Sequence, residues 1–223
     1  INMSKPFKFK EFTVHQDNTA MKVGTDGVLL GAWTDINDGI NSILDIGSGT
    51  GLIGLMMAQR SPAEVIDAVE LEVNAYEQTV ENFENNEWGD RLFCYHSSFQ
   101  EFVKEIDEKY DLIISNPPFY NDTYKQLSKE RALARHSESL NYNELLSGVS
   151  KLLSEDGMFS VIIPYPEEEN FIKTANVYFL KPSKITRVKG SIQSNIKRSL
   201  MQFSFTEKAL EILRDGRGNH FDP

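Results

Sequence analysis

The chain has 223 residues, 40% apolar and 25% charged, with a formal net charge of −10, the composition of one ordinary globular domain rather than a disordered chain. No apolar run approaches the ~18 residues of a membrane span, and the start "INMSKPFKFK" lacks the hydrophobic region of a secretion signal. Cys94 is the only cysteine, which excludes an internal disulfide and suits a reducing cytoplasm.

In chain order, "GVLLGAW" (27–33) reads as a helix, with Thr25 or Asp26 available to cap it. "SILDIG" (42–47) is a short apolar strand ending in glycine, and "LIGLMMAQR" (52–60) is a helix. "EVIDAVE" (64–70) is a strand. "NAYEQTVENFENN" (74–86) is a helix that sets Ala75, Tyr76, Thr79, Val80 and Phe83 at helical spacing. "RLFCYH" (91–96), "SFQEFVKEI" (98–106) and "YDLIIS" (110–115) continue the alternation of strand and helix. In "NYNELLSGVSKLLSEDG" (141–157), Asn141 is the N-cap, Glu144 sits three residues on and Gly157 is the stop. "MFSVIIP" (158–164) is a strand. "KITRVKG" and "RSLMQFSF" form a last, antiparallel pair. Strands that are apolar throughout and alternate with helices predict a parallel sheet covered on both faces. Such a sheet binds its ligand at the carboxyl ends of the strands. The four histidines (His15, His96, His136, His220) show no ligand spacing, so no metal site is expected.

Polar and glycine-rich residues do gather at those strand ends. In "LDIGSGTG" (44–51), Gly47, Gly49 and Gly51 allow a tight turn and close backbone approach to a ligand. A dinucleotide loop has the spacing G-x-G-x-x-G. Here it is G-x-G-x-G, with Asp45 two residues before the first glycine. Asp45 repels a phosphate and favours an ammonium, such as the methionine end of S-adenosylmethionine. An ordinary strand–helix turn is the competing reading. Glu70 ends the next strand, about 20 residues on, where an acidic residue accepts hydrogen bonds from ribose hydroxyls. Glu72 is better read as solvent-facing.

"SNPPFY" (115–120) follows the fourth of these strands. Pro117 and Pro118 give the sheet no N–H, and Asn116 before them is held extended. The amide oxygen of Asn116 and the carbonyl of Pro117 can accept both hydrogens of an exocyclic amine, directing its lone pair at a methyl donor. The prolines preorganise the acceptors, and Phe119 offers a stacking face worth about 1–3 kcal/mol. A rigid turn is the alternative for this motif taken alone.

These residues resemble class I S-adenosylmethionine-dependent methyltransferases of the N-P-P-[FYW] amino-methylating group. Within that group the chain is similar to bacterial tRNA adenine-N6 methyltransferases that modify the adenine beside a valine-tRNA anticodon. The likeness covers "FTVHQDNTAMKVGTDGVLLGAW" (12–33), "LDIGSGTGLIGLMMAQR" (44–60), "IDAVELE" (66–72) and "DLIISNPPFY" (111–120), with "ALARHSESL" (132–140) matching more loosely. It implies a Rossmann-like methyltransferase fold in a single domain, 1–223: a mostly parallel seven-stranded sheet with an antiparallel final strand and helices on both faces. It also implies S-adenosylmethionine as cofactor and cofactor contacts from Lys22, Gly24, Thr25 and Asp26. Related proteins bind the adenine amino group with an aspartate where this chain has "HSSF". Ser98 or the backbone must serve instead, with Phe99 packing on the ring. Chains of the group run on past the equivalent of "GRGNHFDP" into a short helix, so a truncated C-terminus is expected.

A tRNA partner sits oddly with a charge of −10, so the distribution matters. Lys181 to Arg198 holds six basic residues and no acidic one, and Lys5, Lys8, Lys10 and Lys22 make the N-terminal segment basic. The long loop 121–140 adds Lys125, Lys129, Arg131 and Arg135. RNA is expected on this face, with Lys125, Arg131, Arg135, Lys197 and Arg198 in contact; solvated edge lysines are the competing reading. The same motif also serves guanine N2 in ribosomal RNA and protein glutamine, but those enzymes commonly carry an N-terminal domain for which residue 47 leaves no room. A non-catalytic cofactor- or RNA-binding module is the remaining alternative, against which the intact Asn116 speaks. A cytoplasmic monomer with no membrane or metal partner is expected.

Overall fold

The computed structural model describes residues 5–118 and 140–205, and the backbone of 211–213. A two-residue antiparallel pair, β1 (Phe7–Lys8) and β2 (Thr13–Val14), precedes helix α1 (Thr25–Trp33). The alternating body follows: β3 (Ser42–Ile46), α2 (Leu52–Arg60), β4 (Val65–Glu70), α3 (Val73–Glu84), β5 (Leu92–His96), α4 (Phe99–Glu105) and β6 (Tyr110–Ser115). After it come α5 (Tyr142–Leu152), β7 (Leu153–Pro164), α6 (Glu168–Val177), β8 (Lys181–Lys189), β9 (Ile196–Ser204) and β10 (Glu211–Leu213).

The sheet order is β10-β8-β9-β7-β6-β3-β4-β5. β9 runs antiparallel to both of its neighbours, β7 and β8, and every other pairing within this sheet is parallel among the described residues. The seven strands from β3 to β9 are those expected. β10 adds a short eighth at the edge, paired with β8.

Because successive strand residues point to opposite faces, the sheet feeds two cores. Ile43, Ile66, Leu112, Ile114 and Ile162 face α1 and α2. Leu44, Ile113, Phe159, Val161 and Ile163 face α4, α5 and α6. Helix α2 is apolar nearly all round, buried from Leu52 to Ala58, as a helix enclosed on all sides must be. Trp33, at the end of α1, donates from Nε1 to Thr186 Oγ1 at 2.9 Å, tying this helix to β8. Among the described residues no helix is long and apolar enough to cross a membrane.

Three expectations need correction. Helix α5 starts with the capping box of Asn141 and Glu144 as expected, but it ends at Leu152 rather than Gly157. Leu153 turns extended and pairs with Tyr110, so β7 begins five residues early, with an irregularity against Tyr110–Leu112. Sheet pairing outweighs the helix-like pattern of "SKLLSED". In α3, the buried face is Ala75, Gln78, Thr79, Asn82 and Phe83, a more polar stripe than expected, with Tyr76 and Val80 half-buried. Finally, α1 is capped by neither Thr25 nor Asp26; its N-cap is Gly24, with no side-chain cap.

Candidate active site

The site begins where β3 ends. Gly47, Gly49 and Gly51 have φ of +75°, +61° and +75°, left-handed values that a side chain opposes. Gly47 N–H donates to Val69 O at 2.9 Å, folding the loop back over β4. The glycines divide by purpose. A Cβ added at Gly47 or Gly49 meets nothing within 4 Å, so those backbones face open space. A Cβ at Gly51 would lie 2.8 Å from Phe83 Cε1 and 3.1 Å from Thr79 Cγ2. Gly51 therefore lets α2 close against α3, a packing role.

Two carboxylates brace this loop. Glu70 accepts from Gly49 N–H at 2.8 Å through Oε2 and from Glu72 N–H at 2.9 Å through Oε1. Each oxygen keeps a further lone pair. Glu72 is exposed and caps α3, accepting from Asn74 and Ala75 N–H. Asp45 is fully buried beneath the loop. Its Oδ2 accepts from Gly54 N–H at 3.2 Å, while Oδ1 has no partner among the described residues. Burial pushes its pKa up to about 7, opposed by the Gly54 N–H and reinforced by the negative charge of Glu70.

The polar stripe of α3 holds the other wall. Asn82 Nδ2 donates to Thr50 O and to His15 O, each at 2.8 Å, and its Oδ1 accepts from His15 N–H at 2.8 Å. Gln78 Oε1 accepts from Asn18 N–H at 3.1 Å, and Thr79 Oγ1 donates to Gly49 O at 3.1 Å. One helix thus fixes both the glycine loop and the segment leading to α1. Sequence reasoning missed Asn82 and Gln78. Their only signal is polar residues at core-facing positions of an amphipathic helix.

A cavity of about 410 Å³ opens between these walls, lined by Met21 to Gly27, Gly47 to Thr50, Leu52, Ile53 and Asn116 to Pro118. Its size suits a nucleoside-sized ligand. The fold therefore brings together Lys22, Gly24, Thr25, Gly47, Gly49, Asn116, Pro117 and Pro118. The Lys22 ammonium donates to Gln16 O. Asn116 follows directly on β6, whose last residue Ser115 donates to Ile46 O at 2.9 Å. Asn116 Oδ1 is buried and has no partner among the described residues. An unmatched buried acceptor costs about 1–3 kcal/mol. Of the two such acceptors near the glycine cradle, Asn116 is on the cavity lining and Asp45 lies beneath the loop, outside that lining. This donor and acceptor set fits a ligand carrying an ammonium and hydroxyls.

Other expected contacts fall elsewhere. Ser98 is the N-cap of α4, accepting from Glu101 N–H at 3.2 Å and donating to Glu101 Oε2 at 2.7 Å. Phe99 is buried in the core against α5, where a Cβ on Gly148 would meet its ring; it does not lie open to a ligand. Arg198 Nε donates to Asp26 Oδ2 at 2.8 Å, so this guanidinium is engaged at the cavity rim. Lys197 is exposed. Phe119, Lys125, Lys129, Arg131 and Arg135 lie outside the described residues.

Residues 27–161 match the methyltransferase small domain family. The tRNA1(Val) (adenine(37)-N6)-methyltransferase of Christiangramia forsetii is 59% identical over 91% of this chain and 85% of its own length. Those of Flavobacterium psychrophilum and Bacteroides fragilis are 58% and 45% identical, each over 92% of this chain and over 88% and 87% of their own lengths. Among solved structures, TYW2 of M. jannaschii in complex with AdoMet superposes with a TM-score of 0.62 at 12% identity, covering 91% of this chain and 86% of that one. The ribosomal protein L11 methylase of Lactobacillus delbrueckii subsp. bulgaricus gives 0.56 at 14% identity, over 80% and 75%. At such identities the structures speak for the shared fold alone. The chain belongs to the methyltransferase small domain family and, within it, to the group of the tRNA1(Val) (adenine(37)-N6)-methyltransferases.

Proposed function

We propose that this chain transfers a methyl group from S-adenosylmethionine to the exocyclic N6 of an adenine in tRNA. The observation that carries the reading is the buried Oδ1 of Asn116, without a partner among the described residues, on the wall shared by the glycine loop and the N-terminal segment. The identity of 55–59% to curated tRNA1(Val) adenine(37)-N6 methyltransferases supports the substrate.

S-adenosylmethionine supplies the electrophilic sulfonium methyl when bound. The chain's own residues supply position. Gly47 and Gly49 bring bare backbone to the cofactor, Glu70 keeps lone pairs for ribose hydroxyls, and Asp45 below the loop favours the ammonium. Lys22, Gly24 and Thr25 close the opposite wall. Asn116 Oδ1 and the Pro117 carbonyl accept the two N–H groups of the adenine amine, which holds its nitrogen for attack. The nitrogen becomes acidic only once it carries the methyl group, so its proton passes to solvent and no strong base is required. Preorganised acceptors act on the barrier because they need not reorient during the reaction. The reaction needs neither a metal nor a second copy of the chain, and a tRNA substrate supports a cytoplasmic location.

Incubation of unmodified tRNA with S-adenosylmethionine, followed by nucleoside analysis and mapping, tests the reading. N6-methyladenosine beside the anticodon is expected. Asn116→Ala should bind the cofactor as wild type does and lose most turnover, about 10²-fold or more for a lost positioning contact. Wild-type turnover in that variant would overturn the role of Asn116, and a methyl group on guanine would overturn the substrate.

A further inference from the structure

The six basic residues between Lys181 and Arg198 have different tasks in the fold. Lys181 Nζ donates to Asn176 Oδ1, and Lys184 pairs with Asp35 at 2.8 Å while lying over the Trp33 ring. Arg187 grips the buried Glu168 with two nitrogens, and Arg198 pairs with Asp26. Only Lys189 and Lys197 are exposed with no carboxylate partner among the described residues. They flank the turn between β8 and β9.

That turn is tightly closed and presents one large apolar side chain among exposed polar ones. Ser194 N–H donates to Ser191 O at 3.1 Å, closing a four-residue turn. The Ser194 hydroxyl receives Ser191 N–H at 2.9 Å and donates back to Ser191 O at 2.9 Å, locking it twice over. Ile192, just inside the turn, is 95% exposed. Turns favour glycine, proline, asparagine, aspartate and serine for conformational reasons, and a stiff β-branched apolar residue gains nothing there from its own fold. The hairpin also stands beside the site. β8 is parallel to the strands whose carboxyl ends carry the glycine loop and Asn116, so the tip lies at that same edge. At its root, Arg198 is opposite Val188 and Pro164 and is bound to Asp26 of the cavity wall.

We propose that this hairpin tip docks the tRNA substrate, with Ile192 packed against a loop base next to the target adenine and Lys189 and Lys197 on the adjoining phosphates. The inference rests on the tRNA methylation proposed above. An RNA occupant is favoured by charge: in a chain of net −10, the tip offers an apolar contact between two unpaired lysines and no acidic residue from Lys181 to Arg198. RNA loops expose unstacked bases for such contacts, and apolar wedges against bases are an established way of holding nucleic acid. A protein partner through the same tip is an outcome of the test.

The experiment uses the whole chain, an unmodified tRNA1(Val) transcript, and the variants Ile192→Ser and Lys189→Ala/Lys197→Ala. Ile192→Ser should raise KM for tRNA roughly tenfold, the scale of losing one buried isoleucine contact, and leave kcat, cofactor affinity and melting temperature unchanged. The lysine pair should flatten the log–log salt dependence of tRNA binding by roughly two, one for each phosphate contact. Wild-type KM and salt slope in both variants would overturn the proposal, and a hairpin that instead captures a protein while RNA binding is unaffected would overturn it too. If the wild-type chain binds the tRNA through the hairpin but methylates nothing, the proposed function falls and the docking surface stands. If methylation persists with the tip altered and tRNA affinity intact, the reverse holds.

Discussion

Asp45→Asn probes the carboxylate buried under the glycine loop. Burial lifts its pKa from 3.8 to about 7, so between those values the folded chain keeps a proton that the unfolded chain has released. Stability falls with rising pH wherever the folded state binds more protons. The contribution of Asp45 is therefore fully present below about pH 3.8 and lost as pH passes about 7. At about 1.4 kcal/mol per pKa unit, the full span is on the order of 4 kcal/mol. Asparagine has the same shape, can still accept the Gly54 N–H, and never ionises. Relative to wild type, the variant should gain roughly 2–3 kcal/mol between pH 5 and pH 7 and nothing more above about pH 8. Urea unfolding of both proteins at half-unit pH steps measures this difference. Titration of other groups, including the buried Asp67 whose pKa is also raised by burial, occurs in both proteins and cancels. A stability difference that stays constant across the range would refute the reasoning, because Asp45 would then be charged and compensated in the folded protein.

The glycines of the loop should separate by position. Gly49→Val points a side chain into open space and should abolish cofactor binding while costing about 1–2 kcal/mol of stability from its left-handed φ; calorimetry and thermal melting read the two effects. Gly51→Ala places a Cβ 2.8 Å from the Phe83 ring and should lower stability by about 1–3 kcal/mol through overpacking, seen as a drop in melting temperature. Asn82→Ala strips partners from His15 N–H, His15 O and Thr50 O. It should raise KM for the cofactor far more than KM for tRNA, since Thr50 lines the cavity and His15 anchors the segment leading to Met21–Gly27, while the hairpin is untouched.

Much of this site is legible in local sequence because its parts lie within single strand–turn units. "LDIGSGTG" and "SNPPFY" each combine a buried apolar strand with residues of restricted or unusual backbone, and the strands' order in the chain puts both at carboxyl ends. The seven-strand sheet follows from the same alternation. The β7 boundary was not legible, because Leu153 is pulled from helix to strand by Tyr110, a neighbour forty-odd residues away. Phe99 reads as a ligand contact for a similar reason: nothing local says that a ring faces the core. Ser98 does carry a local signal, the S-x-x-E spacing of a helix N-cap with Glu101 three residues on.

The sequence by itself determined the candidates for the proposed chemistry, since glycine φ freedom, proline stiffness and the Asn116 amide are properties of the residues and their immediate neighbours. Only the tertiary structure decided which of them are available. Asn82 becomes a structural clamp only when α3 meets both His15 and Thr50. Of the six basic residues from Lys181 to Arg198, three are neutralised by Asp35, Glu168 and Asp26 across sequence separations of 19 to 172 residues and a fourth, Lys181, is held by Asn176, which leaves Lys189 and Lys197 without a partner among the described residues. Charge partners and packing partners are chosen by proximity in space, and a chain's local pattern carries no record of it.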